Sequence, residues 1–343
     1  MDQAAVNRPG TMLVTGATGV VGVEIVERAR AAGWHVTASS ARGAADAVAW
    51  RMGEAPAPEQ LAGPWDVIVH AAARPRWNLP AQEAKDSNVA PVAALEPLVG
   101  QATHVIHVST AYATGLRGNT RSSDLADYRN TYEWSKAEAE REATSRYGAT
   151  IVRPPLVVGR RSDGAVSRHT GLYSVMQSGV TGMLPVFIGE VDAPVEVVST
   201  CDIATCVLEI AETGPRAEPV VLGAGEQVLP LKGVVDSMYL SLNRWRASHG
   251  YEPLETPGFV TPDQWDRFYL PFAKPHLTNR QLRQIDLLGE FIPYMSVGEP
   301  IGVNWQVDDP AGAIETAIAA WADRRPHLAK SSPRPWVGEE GAA

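Results

Sequence analysis

Cysteine is almost missing from this chain: Cys201 and Cys206 are the only two in 343 residues. A disulfide framework needs more, and the pair has no metal-ligand spacing. Both read as small buried hydrophobes in a reducing compartment, and no metal site is expected. Long apolar runs are missing as well, none approaching the length that spans a bilayer, and the opening MDQAAVNRPG has no charged-then-apolar leader pattern. Runs of Lys or Arg are lacking too, and the net charge of −9 argues against a nucleic-acid surface. What is present, 45% hydrophobic and 20% charged residues, suits a globular protein with ample core. The expectation is a cytoplasmic protein with no nucleic-acid partner and no membrane span, disordered over 1–9 and 329–343, where Pro, Gly, Ala, Ser or charge prevail.

The stretch Thr11–Gly22 organises the rest. Met12-Leu13-Val14 is a short apolar run of the kind that fills a buried parallel strand, and it stops at Gly16, Gly19 and Gly22. VGVEIVERARAAG follows with apolar residues at helical spacing. Strand, glycine turn and helix in that order bring backbone N–H groups and a positive helix end to one point, where a pyrophosphate binds. Gly16, Thr18, Gly19, Val20, Val21 and Gly22 are therefore expected to contact a dinucleotide. A second strand, Trp34–Ala38, ends in Ser39-Ser40-Ala41-Arg42, where an acid would bind the ribose hydroxyl of NAD. No acid is there. Ser39, Ser40 and Arg42 suit a 2′-phosphate, so NADP(H) is expected rather than NAD(H).

Thr15-Gly16-Ala17-Thr18-Gly19-Val20-Val21-Gly22 resembles the TGxxGxxG signature of the extended short-chain dehydrogenases/reductases. Further segments carry the same resemblance. A strand at Trp65–His70 runs into Ala71-Ala72-Ala73, similar to the family's H-x-A-A segment at the middle of the dinucleotide. Asn88-Val89 matches its N-V pair, whose asparagine holds the central strand to the site. A strand at His104–Thr110, with Val108 against the cofactor, leads to Gly115. Counting back five positions, as the family does, lands on Thr110, with Ser109 beside it. The resemblance makes Thr110 the hydroxyl that binds a substrate carbonyl oxygen.

Tyr132-Glu133-Trp134-Ser135-Lys136 matches the family's Y-x-x-x-K. Residues i and i+4 of a helix lie on one face, so an ammonium sits beneath a phenol. The positive charge is expected to favour the phenolate and lower a pKa that is ordinarily about 10. Thr110, Tyr132 and Lys136 are the expected catalytic residues, with Lys136 also reaching the nicotinamide ribose. After a sixth strand at Ala149–Arg153, Pro154-Pro155-Leu156-Val157-Val158-Gly159 resembles the family's R-P-x-x-V-x-G, and Pro154 and Pro155 would lie near the nicotinamide.

These features predict an α/β fold: a Rossmann doubly wound parallel sheet with helices on both faces and a smaller, discontinuous C-terminal substrate-binding subdomain. The cofactor domain is expected at 10–159, with 190–223 returning to it. The substrate subdomain is expected at 160–189 and 224–310, and a closing amphipathic helix at 311–328. Asp202 is expected to cap a helix over Ile203–Glu212. The insertion Arg160–Gly189, with its apolar run Met183–Ile188, reads equally as a lid over a lipid-like or bulky substrate or as a surface loop packing on its own core. No defensible period runs through 225–310.

Within the superfamily, Val108–Tyr112, Tyr132–Glu140, Ile151–Gly159 and Pro293-Tyr294 with Asn304 look most like fatty acyl-CoA reductases and the reductase domains that release thioesters from carrier proteins. That implies an NADPH-dependent reductase of an acyl thioester, coenzyme A- or carrier-bound, giving aldehyde or alcohol. The stretch between the first helix and the fourth strand is shorter than in those enzymes. Alternatives are a ketone/alcohol oxidoreductase of 3β-hydroxysteroid or dihydroflavonol type, a sugar-nucleotide epimerase or dehydratase, and an NADP-sensing regulator on the same fold. Dehydratases usually carry an Asp-Glu pair where this chain has Ala111-Tyr112. The oligomeric state is open, a homodimer included.

Overall fold

A computed structural model describes residues 10–333 except 184, 280, 281, 283, 284, 287 and 288. Of the disorder expected over 1–9 and 329–343, residues 1–9 and 334–343 lie outside the described residues, as does position 184 of the 183–188 run. Residues 329–333 correct the expectation: Ala329 ends a helix, is buried, and its carbonyl accepts from Arg246. In chain order the first elements are β1 (Thr11–Thr15), α1 (Val20–Ala31), β2 (His35–Ser40), β3 (Ala47–Ala49), β4 (Val67–His70), α2 (Ala81–Asn88), α3 (Ala90–Ala93), β5 (His104–Val108), α4 (Thr131–Tyr147) and β6 (Thr150–Arg153). Then come β7 (Leu156–Val158), α5 (Leu172–Val180), β8 (Phe187–Ile188), β9 (Pro194–Val195), β10 (Val197–Ser199), α6 (Thr200–Thr213) and β11 (Val220–Gly223). The last are β12 (Leu229–Pro230), α7 (Leu231–Ser248), β13 (Phe259–Val260), α8 (Pro262–Gln264), α9 (Leu270–Ala273), β14 (Trp305–Gln306), α10 (Pro310–Arg324) and α11 (Pro326–Ala329).

The chain divides into two compact units, the first made of the described residues up to Pro155 with Thr200–Leu222 and Val303–Trp305. It is built on an eight-stranded sheet in the order β14-β11-β6-β5-β4-β1-β2-β3. The pairings from β3 through β6 are parallel, as is that of β6 with β11. Val67–His70 is buried at every position and His104–Val108 at all but its first, the pattern of strands covered on both faces. Helix α1 packs with α6, while α2 and α3 pack with α4. One cluster joins Leu13, Ile68 and Leu95 to Trp50, Leu61 and Leu98; another joins Ala139 and Ala143 of α4 to Val105, Ala149 and Ile151.

The strand order reverses between β1 and β4, and at such a switch point the carboxyl ends of neighbouring strands part to leave a crevice. Gly16 sits there with φ of 69°, and a Cβ on it would lie 2.6 Å from the Ala71 carbonyl carbon and the Ala72 nitrogen. Gly22 meets a similar limit, since its Cβ would fall 2.1 Å from the Gly16 carbonyl oxygen. The turn is thus glycine at these positions because backbone crosses backbone.

Two local expectations need correction. Helix α6 begins at Thr200, so Asp202 lies within its first turn and is not its cap. There its carboxylate still complements the positive helix end. Strand β5 ends at Val108, leaving Ser109 and Thr110 on the turn beyond it.

In the second unit α7 packs along α10, and α10 also covers β7 and β10, which pair in parallel. Helix α7 buries Leu231, Val234, Val235, Met238, Leu242 and Trp245. This is helical spacing, masked in the sequence by Ser237, Ser241 and Arg246, which are buried on the same helix. The 183–188 run packs inward: Met183, Val186 and Ile188 join Val260 and Trp265 in one cluster, and β8 pairs with β13.

Gly16→Ala is expected to destabilise the protein by at least about 2 kcal/mol, combining a left-handed backbone with a collision that cannot relax. Urea unfolding of the variant against the parent measures it, and an unchanged midpoint would contradict the tight crossing.

Candidate active site

The carboxyl end of β1 delivers the chain into the glycine turn, and α1 starts immediately after Gly19, which offers no side-chain cap. The first N–H groups of a helix have no partner within it, so this end of α1 is open to an anion. Ser39 and Ser40, at the end of β2, are buried, and Arg42 beyond them is exposed. The Ser40 hydroxyl has no hydrogen-bond partner among the described residues, while its carbonyl accepts from Gly43 and Trp50. Ala71 and Ala72 leave β4 half-buried against the glycine turn, and Ala73 is exposed. These features fit a dinucleotide: an uncapped helix end for its phosphates, and small side chains where the backbone must come close.

Helix α4 carries Tyr132 and Lys136, and its start is well specified. The Asn130 side chain accepts from the Glu133 amide at 3.0 Å, and Gly148 closes the other end at φ 56°. Tyr132, Lys136 and Glu140 follow at intervals of four and so share one face. The Lys136 ammonium donates to the Val108 carbonyl at 2.8 Å and lies 3.3 Å from His107 Nε2. Glu140 is clamped by Arg153 of β6, whose Nη2 and Nε lie 2.6 and 3.0 Å from its two carboxylate oxygens. This buried two-pronged pair pins α4 to the sheet beside the lysine.

Across from the helix, Thr110 caps the turn after β5 by accepting from the Tyr112 amide at 3.4 Å, which leaves its own O–H to donate. Ala111 N donates to the Pro154 carbonyl at 2.9 Å, tying that turn to the segment after β6. Asn88 has a connecting role. Its Oδ1 accepts from Arg74 N at 2.7 Å and its amide donates to Ser135 Oγ at 2.9 Å. It therefore joins the segment after β4 to α4, a different pair of elements from the one the resemblance implied.

The electrostatics depart from expectation at Tyr132. Burial pushes the phenol up to about 12, with Glu133 adding to the rise. Both effects disfavour the phenolate, although the Tyr132 side chain is only half-buried, and the Lys136 donors face Val108 and His107. Burial pulls Lys136 down to about 8, against the opposing pull of Glu140. The sequence reading placed His70 in the H-x-A-A segment without a role of its own and passed over His107; each is 1% exposed, with rings stacked at 5.2 Å. Burial first and Lys136 second drive His70 down to about 3. The same causes, with His70 added, hold His107 well below its ordinary value. Their signal in the sequence was a histidine inside each of two apolar strands, which reads as packing until the strand register is known. Glu140 and Arg153 escaped for the same reason.

The histidines make stability depend on pH. In the unfolded chain they take up protons below about 6.5, whereas in the native state they do so only at much lower pH. Their contribution is therefore intact above that value and falls as pH drops from it toward 3. The slope is about 1.4 kcal/mol per pH unit for each histidine. Urea unfolding at pH 5 against pH 7.5 should show a loss of roughly 3–4 kcal/mol from this pair, added to what the carboxylates and the half-buried His104 and His169 contribute, and His107→Gln should remove about half of the pair's share.

Residues 54–205 match the NAD-binding family model described as Male sterility protein. The match takes in His70, Thr110, Tyr132 and Lys136 and starts beyond the glycine turn. No curated protein matches the sequence. Among solved structures, the terminal R domain from the myxalamid PKS-NRPS biosynthetic pathway is similar at 18% identity and TM-score 0.64, covering 93% of this chain and 92% of its own. A thiolation-reductase di-domain from an archaeal non-ribosomal peptide synthetase matches at 14% identity and TM-score 0.62, covering 93% of this chain and 76% of its own. MoeE5 in complex with UDP-glucose and NAD matches at 17% identity and TM-score 0.61, covering 92% and 100%. At such identities the structures establish a shared fold. Over residues 54–205 the chain is similar to the NAD-binding family described as Male sterility protein, and over most of its length it shares the fold of these reductase domains and of MoeE5.

Proposed function

We propose that the protein is an NADPH-dependent reductase of an acyl thioester, acting on a coenzyme A- or carrier-bound acyl group. The observation that supports this reading is the placement of Tyr132 and Lys136 one turn apart on α4, with Thr110 on the turn after β5, inside the stretch that matches the male-sterility family model, on a fold shared with a terminal R domain. A phenol that keeps its proton at neutral pH can donate it to a carbonyl oxygen. Reduced nicotinamide, when bound, supplies the hydride. The chain's own residues do the rest. Thr110, with its O–H left to donate, and Tyr132 hydrogen-bond the carbonyl oxygen and stabilise the charge that develops on it. Tyr132 then passes its phenolic proton to that oxygen, and the resulting hemithioacetal collapses to aldehyde and thiol. A second round on the aldehyde gives the alcohol. The Lys136 ammonium lies one turn from Tyr132, where its charge would stabilise the phenolate left once the proton has been passed on, and it would donate toward the nicotinamide ribose.

Gly16, Thr18, Gly19, Val20, Val21 and Gly22 would hold the pyrophosphate, and Ala71–Ala73, Asn88, Val108, Pro154 and Pro155 would line the rest of the cofactor's path. NADP(H) is favoured over NAD(H) by the absence of an acid at 39–42 and by the exposed Arg42. No cysteine nucleophile is needed, because hydride reaches the thioester carbon directly. Cys201 and Cys206 are buried free thiols, and burial raises the Cys206 thiol to about 12. Buried free thiols suit a reducing, cytoplasmic setting. Among the described residues no helix is long and apolar enough to cross a membrane.

NADPH oxidation with long-chain acyl-CoA, followed alongside titration of released thiol, tests the reading. Thiol appearing with NADPH loss supports it. NADPH consumed only with ketone substrates, and no thiol from any thioester, would replace it with the ketone/alcohol reductase reading. Tyr132→Phe is expected to lower kcat at least about 100-fold while leaving NADPH affinity unchanged.

A further inference from the structure

Three strands place three polar side chains in one row beneath α4. The register of β1 on β4 sets Thr15 opposite His70, and that of β4 on β5 sets His70 opposite His107. Residues opposite one another in adjacent strands point to the same face. The contacts agree: Thr15 Oγ1 lies 2.8 Å from His70 Nδ1, and the His70 and His107 rings stack at an interplanar angle of 29°. The row ends on Lys136, whose Nζ is 3.3 Å from His107 Nε2. All four side chains are at most 1% exposed.

A buried ammonium requires acceptors, since each N–H left without one forfeits its hydration. Two contact Lys136: the Val108 carbonyl and His107 Nε2. The carboxylate one turn along the helix, Glu140, is engaged by Arg153. Among the described residues the hydrogen-bond partners of this buried cation are therefore both neutral groups. For His107 to accept, its Nε2 must be bare and its proton must sit on Nδ1. A cationic His107 would instead set two positive charges 3.3 Å apart in a buried space.

We propose that His107 is a positioning residue for Lys136: its bare Nε2 holds the ammonium in place and helps keep it charged, while His70, anchored on Thr15, fixes the His107 ring. The charged or titratable groups around the pair are Lys136 and Glu140 on α4, with Tyr132 one turn before them, His70 on β4, and Arg153 on β6 through Glu140. Burial and Lys136 both disfavour a proton on His107, which agrees with its role as acceptor. The proposal also ties the strand that feeds the glycine turn to the lysine through side chains alone. Its catalytic meaning rests on Lys136 serving the reductase site proposed above, but its test needs neither substrate nor cofactor.

The full chain labelled with 13C at lysine Cε contains five lysines, and Lys136→Arg assigns the resonance of interest. In the parent, Lys136 should titrate well below an ordinary lysine. His107→Phe keeps a flat ring and removes the acceptor, so the Lys136 titration should move down by roughly one further unit. His107→Gln, which restores an acceptor oxygen, should recover most of that shift. An unchanged Lys136 titration in His107→Phe would overturn the proposal. Should that variant not fold, 15N imidazole spectra of the parent decide instead: a bare Nε2 and protonated Nδ1 on His107 from about pH 6 to 8 is expected. The opposite tautomer or an imidazolium in that range would overturn it. Failure of thioester reduction would leave both measurements standing, so the two proposals fail separately.

Discussion

A lysine ammonium buried to 1% exposure sets the terms for the rest of the first unit. Removing such a charge from water is expensive unless acceptors surround it. They come here from a strand carbonyl and an imidazole on the same strand, β5. Helix α4 must then stand at a fixed height over β5, and several contacts hold it there. Asn130 starts the helix, Ala139 and Ala143 let it approach the sheet closely, and the Glu140–Arg153 pair anchors it to β6. The same placement leaves Tyr132 one turn nearer the helix start and Asn88 bonded to Ser135 between the two.

The parallel sheet explains why these groups meet a dinucleotide at all. In an open parallel sheet, every strand delivers its following turn to the same edge. The ends of β1, β2, β4, β5 and β6 thus bring the glycine turn, Ser39-Ser40, Ala71-Ala72, Thr110 and Pro154-Pro155 to that edge, although they lie far apart in the chain. A helix start without a side-chain cap and a protonated phenol then give the edge two chemical properties, attraction for an anion and the capacity to donate a proton.

Much of this was legible from local pattern. The strand–glycine–helix opening, the sheet strands and the four-residue spacing of Tyr132 and Lys136 depend on neighbours within a turn or two. Helix α7 was hidden because buried Ser237, Ser241 and Arg246 break its apolar period, and each finds a partner only in the folded chain: Ser237 on Gly233, Ser241 on Glu315, Arg246 on Glu252 and Ala329. The apolar run at 183–188 could serve as a lid or as core, and its packing with Val260 and Trp265 decides for core.

By itself the sequence determined the fold class, the glycine turn and the identity of the residues at the strand ends, because backbone conformation and short-range periodicity are encoded locally. Only the tertiary structure decided their electrostatic states. Burial raises the Tyr132 phenol, Lys136 meets a carbonyl and an imidazole, and His70 and His107 lie stacked beside it, because desolvation and hydrogen bonding depend on what strand register brings alongside each group. No spacing along the chain carries that register.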